Sequence, residues 1–283
     1  MTYFISKENV TENINKFINE REISLDILRS KTESHFKSKA VYFGGSIAYG
    51  LNNHYSDVDL LVVVESNNQE IPAQLTQIDI NNTRIDCRLI SFQKLSSAVK
   101  NIIEKANVIL NNKSPLRLGI RNEELEALDR IRNGMLITGT DLCLAPYISP
   151  LSIILVFDRQ NDYYGIYQDS IGALLSGHLL YSYSRALECA AKNVDIFLAL
   201  NGYINPSVKS RIIVLEKYYP TNRVTKWYKS LIVRNRTSNL DRIEISDLLR
   251  EINYYNTEFQ LMKIDLFKKH NEFKFYESIQ NKC

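Results

Sequence analysis

Hydrophobic positions in the first half of the chain fall into short runs separated by polar turns, which is typical of β-strands. Ala40 to Phe43 is apolar and aromatic, and it leads into Gly44-Gly45-Ser46 and a short helical stretch. Asp57 to Val64 is β-branched and nearly continuous after its first residues, as in a strand buried on both faces. The pattern predicts a strand, a tight glycine turn, a short helix and a central strand.

Two further strands are predicted at Leu75 to Ile80 and Thr83 to Ile90. Asn81-Asn82 lies between them, and asparagine tolerates the left-handed conformation that a tight hairpin needs. Helix-forming patterns occupy residues 8–37, as one or two amphipathic helices, residues 91–106, and residues 122–137 before Gly139.

Beyond about residue 145 the β-branched alternation fades and long helical patterns take over, at residues 167–201 and 240–267. The second of these carries an apolar stripe of Ile245, Leu248, Leu249, Ile252, Phe259 and Met262. We therefore predict two domains, an α/β domain at residues 1–145 and an all-helical domain at residues 146–283.

Composition agrees with a globular protein of two domains, since 45% of the 283 residues are hydrophobic. The N-terminus is polar from Ser6 onward, and the longest apolar stretch, Pro150 to Phe157, has about half the length of a membrane-spanning helix. The four cysteines lie far apart, without a CxxC or Cys/His cluster. These features predict a cytoplasmic protein with reduced thiols and no membrane partner.

The net charge of +3 hides an uneven distribution. Residues 205–239 contain eight basic residues and one acid, a net +7, while the rest of the chain sums to −4. A solvated face is the ordinary interpretation of such a segment. Because Tyr218, Tyr219, Trp227 and Tyr228 are interleaved with the cations, contact with the phosphates and bases of RNA stays open.

Candidate chemistry begins with Asp57 and Asp59 at the head of the central strand. Strand alternation sends both carboxylates to one face, where they repel each other unless a cation lies between them. A hard divalent ion such as Mg²⁺ is the natural ion for this pair of carboxylate ligands, and it keeps coordination sites open for phosphate. A solvated pair of acids at a strand edge is the alternative.

The glycine turn upstream strengthens the first interpretation. Gly44 and Gly45 allow the backbone to approach an anion closely, and the short helix from Ser46 would point its amides at it. A third carboxylate would complete a two-metal site, and Asp86 is the first candidate, with Asp79 as the alternative. Alternation also places Arg84 and Arg88 on the face of Asp86, where they either neutralise phosphate or pair with the aspartates.

These residues resemble the DNA polymerase β-like nucleotidyltransferase superfamily, which has a strand, a glycine-serine turn, a DxD strand and a later aspartate on a neighbouring strand. The stretch VYFGGSIAYGLNNHYSDVDLLVVV is similar to the small bacterial members, including the antibiotic (aminoglycoside and lincosamide) and minimal nucleotidyltransferases. The resemblance covers roughly residues 38–142, and residues 134–142 are similar to the end of the catalytic domain in the antibiotic enzymes.

The resemblance implies a catalytic domain with a mixed, twisted sheet, followed by a helical acceptor-binding domain. It implies transfer of a nucleoside monophosphate from an NTP, with ATP the commonest donor, to a hydroxyl, and release of pyrophosphate. Two Mg²⁺ ions, or Mn²⁺ in their place, are expected. The implied metal ligands are Asp57, Asp59 and Asp86, the last nearest the acceptor, and the implied triphosphate contacts are Gly44 and Ser46. Gly45, Ser56, Arg84 and Arg88 are further candidate nucleotide contacts.

The acceptor is less defined. Glu188 is a candidate general base, because Tyr181, Ser184 and Glu188 share one face of the predicted helix, and a surface pair with Arg185 is the alternative. His54 could touch the nucleotide or be an ordinary loop histidine. A polycationic aminoglycoside is disfavoured by the positive charge of residues 205–239.

Three functions remain on the sequence alone. The first is a Mg²⁺-dependent nucleotidyltransferase that acts on a small-molecule hydroxyl. The second is the same chemistry on tRNA, another RNA or a protein side chain, as in toxin or defence systems. The third is a sensor that binds NTP without transfer, which three mutually repelling carboxylates argue against.

Overall fold

The computed structural model describes residues 5–53, 55–65, 75–81, 83–111, 121–142, 144, 150–204, 210–233 and 241–271. It divides into two compact units, and each is considered by itself below. The first unit comprises residues 1–105, 119–150 and 204–206, and the second comprises residues 106–118, 151–203 and 207–283.

A five-stranded mixed sheet forms the centre of the first unit. Its strands are β1 (Ser38–Gly44), β2 (Val58–Val64), β3 (Leu75–Ile80), β4 (Thr83–Ser91) and β5 (Met135–Gly139). They lie in the order β3-β4-β2-β1-β5, with β2 and β4 parallel and the other neighbouring pairs antiparallel. β2 is the middle strand and is almost entirely buried, so the predicted mixed sheet and its central strand are confirmed.

Among the described residues of this unit, five helices accompany the sheet. They are α1 (Lys7–Glu20), α2 (Leu25–His35), α3 (Gly45–Ala48), α4 (Phe92–Leu110), which runs on past residue 105, and α5 (Asn122–Asn133). The side chains of Ser6 and Ser24 accept hydrogen bonds from backbone amides at the starts of α1 and α2, which satisfies donors that a helix leaves free. α1 packs on α3 and β5, α2 on β1 and β5, and α5 on β1.

The predicted hairpin is confirmed at β3 and β4. Ile80 pairs directly with Thr83, and Asn81 adopts the left-handed conformation with a φ of 48°. Asparagine tolerates this conformation better than most residues, so the turn follows from local sequence chemistry. Asn82 lies outside the described residues.

The helix predicted at residues 122–137 is wrong in its second half, because α5 ends at Asn133 and β5 begins at Met135. Gly134 between them is extended, and a Cβ atom there would lie 2.2 Å from the carbonyl oxygen of Arg130. β5 then pairs with β1 at the edge of the sheet. Tertiary pairing therefore overrides the helix-forming pattern of the sequence.

The second unit is helical, as predicted for the second half of the chain. Its described helices are α6 (Leu151–Leu175), α7 (Leu179–Leu200), α8 (Arg211–Tyr218), α9 (Arg223–Val233) and α10 (Arg242–Asn271). The helical pattern predicted across residues 167–201 is broken after Leu175, where Gly177 has a φ of 81°. The amides of Gly177 and His178 donate to the last carbonyls of α6, which ends the helix in a tight turn.

Buried amides connect three helices of the second unit. Gln160 of α6 donates to Asn256 of α10 at 3.0 Å, and Asn256 donates to Asn193 of α7 at 2.9 Å. Because buried polar groups are costly when unpaired, this chain of hydrogen bonds favours one packing of α6, α7 and α10. Across the described part of the chain, no helix combines the length and apolar character needed to span a membrane.

The two cysteines that the structure describes, Cys87 and Cys189, are buried free thiols. Burial raises the pKa of each to about 12, so both thiols stay protonated at neutral pH. Cys143 and Cys283 lie outside the described residues.

A buried carboxylate anchors α5 in the first unit. Asp129 accepts hydrogen bonds from the Tyr49 hydroxyl and from the Asn133 amide, and Asn133 also donates to Tyr49 at 3.0 Å. Burial raises the pKa of Asp129, and the hydrogen bonds from Tyr49 and Asn133 oppose that rise. The network joins α5 to the residue that follows α3.

Tyr49→Phe should lower the free energy of unfolding by about 2 kcal/mol at neutral pH, because a buried carboxylate loses a donor. The hydroxyl favours the ionised form of Asp129, so the loss should grow as the pH rises and shrink on acidification. Urea unfolding across a pH series measures both effects. Tyr55→Phe is the control, since Tyr55 is 87% exposed, and an equal loss in that variant would contradict the prediction.

Candidate functional site

Strand register places a row of site residues across one face of the sheet. Gly44 of β1 pairs with Asp59 of β2, Asp59 pairs with Asp86 of β4, and Gln77 of β3 pairs with Asp86. Paired residues on neighbouring strands point to the same face, and such strands lie about 4.8 Å apart. Two carboxylates from distant parts of the sequence therefore lie side by side next to the glycine turn.

Asp57 lies one residue before β2 and is exposed. Its spacing of two from Asp59 puts it on the same face if the extended backbone continues. Asp79, the alternative third carboxylate, lies on the edge strand β3 and pairs with Arg84 rather than with Asp59. The register thus favours Asp86 over Asp79 as the partner of Asp59, and the catalytic roles themselves stay predictions.

Each of the two central carboxylates is paired with an arginine. Arg84 donates twice to Asp86, from Nε at 2.8 Å and from Nη2 at 3.1 Å. Arg130 of α5 donates from Nη2 to Oδ1 of Asp59 at 2.8 Å. The guanidinium groups offset the repulsion that the two neighbouring carboxylates would otherwise experience.

Arg84 and Arg88 lie on the same face as Asp86, as strand alternation predicts. Between them Ile85 and Cys87 are buried, while the Arg84 side chain is 47% exposed. Arg88 forms an ion pair with Glu126 of α5. The sequence left open whether these arginines neutralise phosphate or pair with the aspartates. In the structure, Arg84 pairs with Asp86.

Arg130 is a residue of this site that the sequence did not predict. Its side chain is only 9% exposed, although a charged residue inside a helix ordinarily faces solvent. Burial raises the pKa of Asp59, Arg130 opposes that rise, and the neighbouring Asp86 adds to it. A desolvated carboxylate with a charged partner is typical of functional sites, and no motif in the sequence marks the arginine.

Both glycines of the turn border this ion pair. A Cβ atom on Gly45 would lie 2.2 Å from Oδ2 of Asp59, and Gly45 has a φ of 72°. A Cβ atom on Gly44 would lie 2.5 Å from Cγ of Arg130. Glycine is therefore required here to accommodate Asp59 and Arg130, in addition to the predicted approach of the backbone to a phosphate.

The two serines of the predicted nucleotide contacts flank the loop between α3 and β2. Ser46 is partly exposed within α3, and its carbonyl accepts from the Leu51 amide at 2.8 Å. The Ser56 hydroxyl accepts from the Asn53 amide at 2.8 Å, so it closes a turn immediately before Asp57. His54 lies outside the described residues.

The donor set suits a divalent ion that is shared with a substrate. Within the ranges that the structure describes, no three His, Cys, Asp or Glu side chains converge closely enough to hold an ion. Mg²⁺ is commonly held by one or two carboxylates together with phosphate oxygens and water, and Asp59 and Asp86 offer such hard oxygen ligands. The residues present therefore fit Mg²⁺ that arrives with a nucleotide.

Glu188, the candidate general base, belongs to α7 in the second unit. Its side chain is 45% exposed and forms an ion pair with Arg185, which also pairs with Asp169 at 2.9 Å. This arrangement matches the alternative interpretation of a surface pair. The catalytic role of Glu188 stays a prediction.

The segment at residues 205–239 is less basic in effect than its composition suggests. Three of its described cations pair with acids of the same unit: Arg211 with Asp195, Arg223 with Glu258, and Lys229 with Glu216. Ion pairing lowers the positive potential that a nucleic acid would experience. Residues 205–209 and 234–239 lie outside the described residues.

Trp227, the largest aromatic residue of this segment, is a core residue. It is 4% exposed and stacks on Tyr255 with 4.2 Å between the ring centroids. Tyr219 packs edge to face against Phe197. The interpretation that Trp227 stacks on bases is therefore wrong, because its ring is already buried among helices.

Gly45→Ala should lower the free energy of unfolding by about 2 kcal/mol or more, because alanine is strained at this φ and its methyl group would overlap Asp59. Gly172→Ala is the matched control, since nothing lies within 4 Å of a Cβ atom at that position of α6. We expect a gain of about 0.5–1 kcal/mol in the control. Denaturant unfolding measures the free energy of unfolding of both variants. An equal change in the two would contradict the close packing of Gly45 against Asp59.

A family model matches the part of the chain that carries this geometry. Residues 25–128 match the model of the nucleotidyltransferase domain family, a range that contains β1 to β4 and all three predicted metal ligands. Curated proteins gave no match. Among solved structures, the chain is similar to a nucleotidyltransferase-like protein from Exiguobacterium sibiricum 255-15, with 15% identity, a TM-score of 0.49, and coverage of 88% of this chain and 79% of that one. Residues 25–128 are thus similar to a nucleotidyltransferase domain, as predicted from the sequence.

Proposed function

We propose that the protein transfers a nucleoside monophosphate, AMP in the first instance, from an NTP to a hydroxyl of a small-molecule acceptor and releases pyrophosphate. The observation that carries this proposal is the direct pairing of Asp59 with Asp86 on parallel strands beside the Gly44-Gly45 turn. The family match supports nucleotidyl transfer in general. The choice of ATP as donor and of a small-molecule acceptor goes beyond that match.

In this proposal Asp57, Asp59 and Asp86 are the ligands of Mg²⁺, for which Mn²⁺ can substitute. The bound metal supplies neutralisation of the triphosphate charge and a lower pKa for the attacking hydroxyl. Asp86 is the carboxylate nearest the acceptor, by the resemblance to the superfamily. Asp57 is the most exposed of the three, which suits a ligand that completes the site when substrate binds.

The remaining contacts concern the triphosphate. Gly44, Gly45 and Ser46 form the turn beside Asp59, where backbone amides and the serine hydroxyl can orient phosphate oxygens. Ser56 supports this arrangement by closing the turn that leads into Asp57. Arg84 and Arg88 contribute guanidinium groups on the same face, and such groups bind phosphate oxygens with two parallel hydrogen bonds.

We assign nucleotide chemistry to residues 1–145 and acceptor binding to residues 146–283, with Glu188 as candidate general base. A small molecule is favoured over RNA as acceptor, because Arg211, Arg223 and Lys229 are neutralised by acids and Trp227 is buried. The positive composition of residues 205–239 argued against polycationic acceptors, and the ion pairs weaken that argument. A neutral or anionic hydroxyl compound remains the first choice.

Asp59→Asn and Asp86→Asn should each lower the rate of pyrophosphate release by on the order of 10²–10³-fold, because an amide cannot replace the charge of a carboxylate ligand. Pyrophosphate release in the presence of NTP and acceptor extract, with and without Mg²⁺, measures this loss. The reaction should stop when the metal is chelated.

Asp79→Asn is the matched control, since Asp79 is an exposed carboxylate on the neighbouring strand. It should retain close to wild-type activity. Equal loss of activity in all three variants would contradict a specific role of Asp59 and Asp86. Activity that survives in Asp59→Asn would exclude the proposed metal site. Nucleotide binding without any turnover would favour the sensor.

Incubation with ATP, CTP, GTP and UTP, each labelled at the α-phosphate, in cell extract should identify donor and acceptor together. We expect label from ATP in the low-mass fraction, because the described surface of residues 205–239 offers few unpaired cations for RNA. Label on RNA, with binding that weakens steeply as salt rises, would replace the small-molecule acceptor. Label on a protein band would indicate protein modification.

A further inference from the structure

We propose that Arg130 is a positioning residue of the active site, which holds Asp59 in the orientation that binds metal and nucleotide; this inference rests on the proposed function. Arg130 belongs to α5 and is separated from Asp59 by 71 positions in the sequence. It is one of the most buried charged side chains near the site, with 9% of its side chain exposed. Neither the motif nor the family match assigns it a role.

The contact of Arg130 engages one oxygen of Asp59. Nη2 donates to Oδ1 at 2.8 Å, while Oδ2 lies on the side of Gly45. Nη1 points toward the carbonyl oxygen of Leu60 at 3.4 Å, so the guanidinium is directed along β2. A carboxylate fixed through one oxygen has a defined orientation, which leaves the other oxygen for a ligand on the substrate side.

The glycine turn confines both members of the pair. Gly44 has no side chain where the Arg130 stem passes, and Gly45 has none where the Asp59 carboxylate lies. The same turn is the proposed contact of the triphosphate. Arg130 therefore sets the positions of the phosphate-binding backbone and of the metal-binding carboxylate together, through direct packing against Gly44.

Arg84 differs from Arg130 in its exposure to solvent. It also pairs with an aspartate of the site, but its side chain is 47% exposed and can leave Asp86 for solvent or phosphate. Arg130 has no such freedom, because its departure would empty a buried space beneath Gly44. Arg130 therefore stays on Asp59 when nucleotide and metal bind, whereas Arg84 exchanges Asp86 for another partner.

The test is the affinity for Mn²⁺, measured by the electron paramagnetic resonance signal of the free ion, with and without an α,β-methylene analogue of ATP. Arg130→Met should weaken Mn²⁺ binding about 10–100-fold, the usual effect of losing a group that orients a metal ligand. Arg130→Lys should restore part of the affinity, because it keeps the charge but not the planar fork. Gly44→Ala should weaken binding in the same direction by displacing the arginine stem.

Two controls separate positioning from stability. Arg132→Met removes an equally buried guanidinium from the same helix, and we expect it to lower the unfolding midpoint while Mn²⁺ affinity is unchanged. In an Asp59→Asn background, Arg130→Met should cause no further loss of Mn²⁺ affinity, because a positioning residue acts only through its partner. Should Arg130→Met fail to fold, Arg130→Lys and Gly44→Ala carry the same comparison.

Unchanged or tighter Mn²⁺ binding in Arg130→Met would overturn the inference, since a mere counter-ion or competitor gives those results. A further loss in the Asp59→Asn background would overturn it as well. Wild-type protein that binds no Mn²⁺, even with the nucleotide analogue, would overturn the proposed function and this inference with it. Wild-type binding with an unaffected Arg130→Met would overturn the inference alone.

Discussion

The parallel pairing of β2 with β4 is the constraint on which the site depends. It places Asp59 directly opposite Asp86, so two carboxylates share one face of the sheet at the distance between neighbouring strands. Without compensation, their mutual repulsion would oppose the register that brings them together. Two arginines supply that compensation. Arg130 of α5 pairs with Asp59, and Arg84 pairs with Asp86 of its own strand, β4.

The surrounding fold holds these charges in place by packing and hydrogen bonding. α5 carries Arg130 and is itself anchored one residue earlier, where the buried Asp129 accepts from Tyr49 and Asn133. Tyr49 follows the short helix that begins at Gly45. Its hydrogen bond to Asp129 therefore connects the glycine turn to α5, the helix that carries Arg130. The charges of Asp59 and Arg130 are thus held in place by the fold, which is the preorganisation on which electrostatic catalysis relies.

In the helical unit, too, charged side chains are paired with side chains of opposite charge. Cations that look like a nucleic-acid surface in the sequence, such as Arg211 and Lys229, are paired with acids of neighbouring helices, and Trp227 contributes its ring to the core. Composition reports how many charges a segment carries, but their partners decide how much field reaches a ligand. The acceptor question therefore turns on paired and unpaired charges rather than on net charge.

Local chemistry in the sequence was enough to predict strands β1 to β4, the Asn81 hairpin, and the common face of Arg84, Asp86 and Arg88, because strand alternation and turn preferences act over a few residues. The tertiary structure alone decided that β2 pairs with β4, that Met135–Gly139 becomes an edge strand, and that Arg130 meets Asp59. These depend on contacts between residues far apart in the chain, whose free energies appear only once the sheet and α5 have assembled. No local pattern encodes them, so a buried arginine could be found only in the folded protein.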